Sequence, residues 1–292
     1  MKFRVRHLTT YTYSESVLLS HHAAHLHPRE QPGQAIGEVS LAIRPEPAVL
    51  HDGRFDYFGN PITFFTLQDP HTTLEIDAGF TVENGPLPVL PQSGVAAWDA
   101  LRVDFANYRR TSLEQAMDFV FASPQVPVLA EAGAYAAASF TPGRPLTEAV
   151  FDLAGRIHAD FTFDAAATDV GTPLAAVFEK RRGVCQDFAH VGIACLRAMG
   201  LAARYVSGYI RTIAPPGKEK LVGADASHAW LSVFLPGWGW FDVDPTNNMA
   251  AGADHIVVAW GRDYDDVSPL RGVVLGGGVH EVEVAVDVIE AP

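Results

Sequence analysis

The sequence predicts an α+β protein: an N-terminal antiparallel β domain over residues 1–90, then, over residues 91–292, a core in which a cysteine-bearing helix packs on an antiparallel sheet. Three observations predict it. Short alternating or β-branched runs separated by turn signals fill the chain to about Glu83. One amphipathic helix starts at Cys185. Alternating strands follow that helix.

The first runs are FRVRHLTTYTY, EVSLAIRP, PITFFTL and TLEIDAGFTVE, with Gly59-Asn60-Pro61 and Asp69-Pro70 between them, a pattern expected of a β sandwich. Gly85-Pro86-Leu87-Pro88 and Pro91 form a stiff linker. Val95 to Ser139 is Ala-rich with helical spacing; in SLEQAMDFVF, Ser112 is placed to cap and Gln115 to complete a capping box. Leu146 to His158 has helical period, and Thr172-Pro173 opens a further helix that runs to Lys180. From Cys185, the positions Phe188, Val191, Gly192, Cys195, Leu196 and Met199 make one stripe, and Gly200 stops the helix. Strands are expected at Arg204 to Ile210, His228 to Leu235 and Trp240 to Val243. The tail from Val279 to Ile289 alternates valines with acidic residues, as a half-exposed strand does, and is grouped with the core.

A chain of 292 residues, 48% of them hydrophobic, can bury an ordinary core. The formal charge of −13 argues against nucleic acid or an anionic membrane as partner. The N-terminus has no uninterrupted apolar segment, and no run is long enough to cross a bilayer. Cys185 and Cys195 lie on one helix, roughly 15 Å apart at 1.5 Å of rise per residue, too far for a disulfide. Two free thiols favour a reducing compartment, so a cytoplasmic location is expected.

Gly183-Val184-Cys185-Gln186-Asp187 puts Cys185 in the first turn of its helix. Unpaired N–H groups and the positive end of the helix dipole favour a thiolate there, and the same N–H groups can hold the oxyanion of an attacked carbonyl. His228 begins a strand, and Asp242 and Asp244 sit on the next one, after the turn Pro236-Gly237-Trp238-Gly239. Cys, His and Asp in this order, each at the edge of a different element, suit a thiol–imidazole–carboxylate triad. Periodicity does not choose between Asp242 and Asp244, which share a strand face. A simple even-numbered loop would pair Leu231 with Asp244 and leave His228 on the opposite face, so the triad requires an irregular loop or a bulge. His190, five residues after Cys185, is rotated by ~140° and points away from the thiol.

GVCQDFAHVGIACLRAMGLAARYVSGY, SHAWLSVFLPGWGWFDVDPTNN and VAWGRDYDDVSPLRGV resemble the corresponding segments of bacterial transglutaminase-like proteins, which share the papain-like core of thiol enzymes. YTYSESVLLSHHAAHLHPRE and DYFGNPITFF resemble the β-rich domain that precedes that core in one branch of the family. The resemblance implies Cys185 as nucleophile, His228 as base and, through the Asp-Pro-Thr-Asn pattern, Asp244 as the orienting carboxylate. It implies acyl transfer from an amide or isopeptide, with hydrolysis preferred, a peptide or protein as substrate, and no cofactor. Amine transfer by a transglutaminase and a non-catalytic peptide-binding module are the alternatives.

The N–H of Cys185 is the natural first oxyanion donor; Gln186, Tyr209 or a backbone group near Cys185 are candidates for the second. Trp230 and Trp260 are candidates to line a substrate cleft, Trp260 because Trp260 to Tyr264 follows the triad in a loop-forming context. No metal site is expected. Cys185, His190, Cys195 and His228 lack zinc-ligand spacing, the cluster His21, His22, His25 and His27 reads as a polar strand face near a domain joint, and Asp263, Asp265 and Asp266 make a poor calcium loop. Gly276-Gly277-Gly278 precedes a strand rather than a helix and is not a phosphate loop.

Overall fold

The computed structural model describes residues 1–86, 90–91, 94–107, 111–212 and 227–291. Two linker positions of the sequence reading, Leu87 and Pro88, fall outside them, as does the side chain of Ser112.

The N-terminal region is built on one long strand, β1 (Lys2–Ala24), followed by β2 (Gln34–Arg44), β3 (Val49–Phe55), β4 (Pro61–Leu67) and β5 (His71–Asn84). The N-terminal half of β1 pairs with β5 and its C-terminal half with β4, each antiparallel. All strands of this region belong to one hydrogen-bonded sheet, in place of the two separate sheets expected of a sandwich.

Helices α1 (Trp98–Ala106), α2 (Ala130–Ala136), α3 (Leu146–Asp160) and α4 (Leu174–Lys180) lead into the central helix α5 (Cys185–Ala198); the short strands β6 (Thr162–Phe163) and β7 (Arg182–Gly183) pair between them. The segment Thr111–Phe119 is a 3₁₀ helix rather than an α-helix. Helix α5 is buried on all sides from Asp187 to Arg197, more than the single stripe expected, because β8 and β9 cover one face and α2, α3 and α4 the other. A helix enclosed in this way must satisfy its own polar groups, and Arg197 does so by donating to the carbonyls of Phe119, Ala203 and Arg262. Gly192 allows the close approach to the sheet: a Cβ there would lie 2.3 Å from Cδ2 of Leu231.

The second sheet has the order β11-β10-β9-β8-β12, from β8 (Ala203–Ile210), β9 (Ser227–Leu235), β10 (Gly239–Asp244), β11 (Met249–Ala250) and β12 (His255–Gly261). The region around Trp260, expected as loop, is thus a strand, and it is an edge strand. Its outer backbone is paired by side-chain amides of the β region. Gln34 accepts from the N–H of Val257 at 2.8 Å and donates to its carbonyl at 2.8 Å. Asn60 makes the same two bonds to Trp260, at 2.9 and 2.8 Å. Asn84 donates to the carbonyl of His255 at 2.9 Å. Three amides therefore stand where another strand would pair, and they close the edge. Gln34→Leu is expected to leave the buried N–H and C=O of Val257 unpaired and to destabilise the fold by about 2–5 kcal/mol, read by urea unfolding. An unchanged midpoint would show that the edge of β12 does not depend on this amide.

After α6 (Tyr264–Val267), strands β13 (Leu270–Gly276) and β14 (His280–Glu290) return to pair with β1. The tail's strands thus join the first sheet, while its buried valines pack in the same hydrophobic core as α5. Only Val286 and Val288 are buried; Val282 and Val284 are exposed. The tail's alternation is satisfied by the first sheet, because β1 has free edge there once β5 occupies its other side. Gly276-Gly277-Gly278, all at positive φ, turns the chain against an irregularity in β1, where Gly277 donates its N–H to the carbonyl of Ser16.

Candidate active site

Asp187, at the third position of α5, reaches back to accept the N–H of Val184 at 2.8 Å, and the Thr168 hydroxyl donates to the same oxygen at 2.7 Å. This is half of a capping box; Val184 has no polar atom to supply the other half. Gly183 is required by this carboxylate, since a Cβ there would sit 2.3 Å from its Oδ2. With the Val184 N–H taken, those of Cys185 and Gln186 begin the helix without an acceptor inside it. Cys185 is half-buried and Gln186 lies beside it in the same turn.

The register of the β9–β10 hairpin brings His228 and Asp244 together. Leu235-Pro236-Gly237-Trp238 is a turn closed by the Trp238 N–H on the Leu235 carbonyl at 3.1 Å, with Gly237 at φ +84° and Gly239 at φ +110°. Leu231 consequently faces Val243, not Asp244. That single-residue difference from the simple loop moves Asp244 to the same face as His228.

Nε2 of His228 and Oδ2 of Asp244 are 2.7 Å apart, and Cys185 lies close enough to the ring to raise its pKa. With Nε2 committed to Asp244, Nδ1 is the nitrogen left for the thiol. The Asp244 carboxylate is fully buried and accepts from many sides: the N–H groups of Thr246 at 2.9 Å and Asn247 at 3.1 Å on Oδ1, and the Asn247 amide at 2.7 Å on Oδ2. Burial alone would raise its pKa; the bonds from His228, His255 and Asn247 outweigh that and hold it well below the usual carboxylate range.

Burial also opposes charge on His228, but its bond to Asp244 and the nearby Cys185 prevail and raise its pKa to about 9. An imidazole pKa raised above the unfolded value contributes stability that is complete below about pH 6.5 and lost as pH rises toward 9. A ¹³C or ¹⁵N titration of His228 is expected to show a midpoint near 9 that falls in Cys185→Ala. A midpoint at or below 6.5 in the native protein would refute the charged pairing.

His255 was not singled out from the sequence. It accepts the Gly252 N–H on Nδ1 at 3.0 Å, so its proton is on Nε2, which lies 3.1 Å from Oδ2 of Asp244. His228, Asp244 and His255 bring their ligand atoms within 4.8 Å of one another, the separation of a metal site. The His255 tautomer presents a proton to the carboxylate rather than a lone pair to an ion, so the cluster is a hydrogen-bonded network. His255→Phe is expected to raise the pKa of Asp244 by removing a donor. Stability from a depressed carboxylate is present above about pH 4 and lost as pH falls, so acid unfolding should move to higher pH, with His255→Gln restoring the donor. Identical acid transitions for native protein and His255→Phe would remove His255 from the network.

The remaining sequence candidates divide. Tyr209 is not brought to the thiol: its hydroxyl bonds Nδ1 of His7 at 2.7 Å, and its ring packs against Phe80 in the β region. Tyr205, four residues earlier on the same strand face, is the buried tyrosine near Cys185; burial first, then the Cys185 charge, raises its pKa well above the ordinary value. Strand parity could have put both tyrosines on the helix side but not chosen between them. Trp230 donates to Asp242 at 2.9 Å and stacks edge-on against His255. Asp242 therefore serves the indole, and Asp244 the imidazole. Trp230 and Trp260 both line a cavity on the face of the sheet away from α5. His190 accepts the Tyr264 N–H at 3.2 Å, and burial lowers its pKa to about 3. Cys195 is buried, its pKa pushed up to about 12. His21, His22, His25 and His27 do not converge: His21 meets Thr66, His22 stacks on Phe65, His25 bonds Asp56 and His27 approaches Asp52.

Residues 3–83 match the bacterial transglutaminase-like N-terminal region, and residues 134–245, which contain Cys185, His228 and Asp244, match the transglutaminase-like superfamily. The chain is 41% identical to an uncharacterized protein of Mycobacterium tuberculosis over 99% of its own length and 92% of the relative's. It is 31% identical to one of Mycobacterium leprae over 98% of each chain. A shorter match, 39% identical over 31% of this chain and 14% of the other, is to a protein-glutamine gamma-glutamyltransferase of Pseudomonas aeruginosa. A solved structure from Cytophaga hutchinsonii, provisionally named a cysteine protease, has the same fold at a TM-score of 0.73 and 19% identity, covering 100% of this chain and 92% of that one. The chain belongs to the transglutaminase-like superfamily, with the family's bacterial N-terminal region ahead of the core.

Proposed function

We propose that the protein is a thiol hydrolase of amide or isopeptide bonds acting on a peptide or protein, with Cys185 as nucleophile, His228 as base and Asp244 as orienter. The observation that carries the reading is the His228 ring held between the buried Asp244 carboxylate and Cys185. The sulfur of Cys185 attacks the carbonyl carbon while His228 holds the thiol proton. Negative charge developing on the carbonyl oxygen is met by the first N–H groups of α5. Collapse of the tetrahedral adduct breaks the C–N bond, and His228 passes its proton to the departing amine. Water then attacks the thioester carbonyl, giving one proton to His228; collapse of this adduct breaks the C–S bond, releases the carboxylic acid, which ionises to solvent, and returns the Cys185 thiolate beside protonated His228.

A primary amine in place of water gives amine transfer, and the partial match to a protein-glutamine gamma-glutamyltransferase favours keeping this second reading. Peptide and isopeptide libraries, incubated with and without added primary amine, separate the two. Release of acid product regardless of amine supports hydrolysis; product carrying the amine supports transfer. Absence of any Cys185-dependent product would leave a peptide-binding module as the better account.

A further inference from the structure

A cavity of about 1120 Å³ lies between the β region and the second sheet, on the face turned away from α5. Neither Cys185 nor His228 lines it. Its walls are rich in aromatic rings, Phe58, Phe119, Trp230, Trp240 and Trp260 among them, and it reaches His255. One wall residue is Arg204 on β8, only 6% exposed.

Arg204 is a buried cation with no direct ion pair among the described residues. Its guanidinium carbon stands 3.6 Å from the ring centre of Trp260 and 4.3 Å from that of Trp240. The indoles take its faces, so any further partner must reach the N–H edge. Nε has no hydrogen-bond partner, and Arg204 makes no ion pair among the described residues. Asp242 acts on it only through longer-range attraction, its own oxygen being engaged by Trp230. Buried charges are ordinarily paired, and an orphaned buried N–H is costly. A guanidinium edge matches a carboxylate in shape and charge.

We propose that this cavity binds a carboxylate carried on an apolar or aromatic body, with the Arg204 edge as its receptor. Asp242 and Asp118 also line the cavity, which disfavours a dianion such as a phosphate ester. Walls rich in aromatic rings with a few convergent polar and charged groups are the usual form of a small-molecule or peptide-end site. The carboxylate can come from a free arylalkanoic acid or from the C-terminus of a peptide ending in an aromatic residue. The inference concerns a surface behind the triad and holds whichever reaction Cys185 performs.

Calorimetric titration of the full chain, native and with Cys185→Ala to prevent turnover, tests it. The probes are 3-phenylpropionate and N-acetyl-Ala-Ala-Phe as free acids, their amides, 3-phenylpropylamine and phenyl phosphate. At least one acid is expected to bind, with its amide about tenfold or more weaker, and the tighter acid identifies the source. Arg204→Met should lose about tenfold or more, and Arg204→Lys less, because an ammonium keeps the charge but not the planar edge. No binding by either acid up to about 5 mM would overturn the proposal. So would equal affinity for acid and amide, preference for the amine or the phosphate ester, or full affinity in a folded Arg204→Met. If Arg204→Met does not fold, the acid-to-amide contrast on the native chain decides alone.

Discussion

Cys185→Ala is expected to abolish alkylation by iodoacetamide at neutral pH and to lower turnover of any cleaved amide by about 10⁵-fold or more, the scale on which loss of a covalent nucleophile acts. Cys195→Ala should change neither. The two thiols share a helix but not an environment. Cys185 is half-buried at the helix start, beside the His228 ring whose pKa it helps to raise. Cys195 is sealed in the core, where burial outweighs the attraction of Arg156 and pushes its pKa up to about 12. Labelling of the native protein should therefore be at least about 100-fold faster at Cys185, read by peptide mass mapping. Comparable rates, or turnover that survives Cys185→Ala, would remove the nucleophile from the proposed mechanism.

Asp244→Asn is expected to slow acylation by about 10³–10⁴-fold while leaving Cys185 present and labelable, the scale of loss when a base keeps its place but not its tautomer and counter-charge. The substitution should preserve the local fold, because an amide oxygen can still accept the N–H groups of Thr246 and Asn247 that now reach Oδ1. It cannot retain the negative charge that helps raise the pKa of His228 to about 9. Asp242→Asn is the control and should cost less than about tenfold, since its carboxylate bonds the Trp230 indole rather than the imidazole. Single-turnover acylation of both variants gives the comparison. A larger loss for Asp242→Asn would mean that the wrong carboxylate had been assigned to His228.

The order of Cys185, His228 and Asp244, the helix that starts at Cys185 and most of the strands around it were legible because they rest on local signals: a glycine before a helix start, periodicity of 3.6 or 2, and turn residues. The choice of Asp244 over Asp242 was legible only through family resemblance. What hid the pairing was one residue of register. The Pro236-Gly237 turn pairs Leu231 with Val243, and that shift places Asp244 on the His228 side of the hairpin.

The sequence by itself determined that this is an α+β chain with a thiol at a helix start, because those properties follow from neighbours along the backbone. Only the tertiary structure decided that Tyr205 rather than Tyr209 lies near the thiol, that β14 completes the first sheet, and that His255 shares the Asp244 carboxylate. The reason in each case is a contact between distant parts of the chain. Asn84, for example, holds the His255 carbonyl from 171 residues away, a pairing that no local pattern encodes.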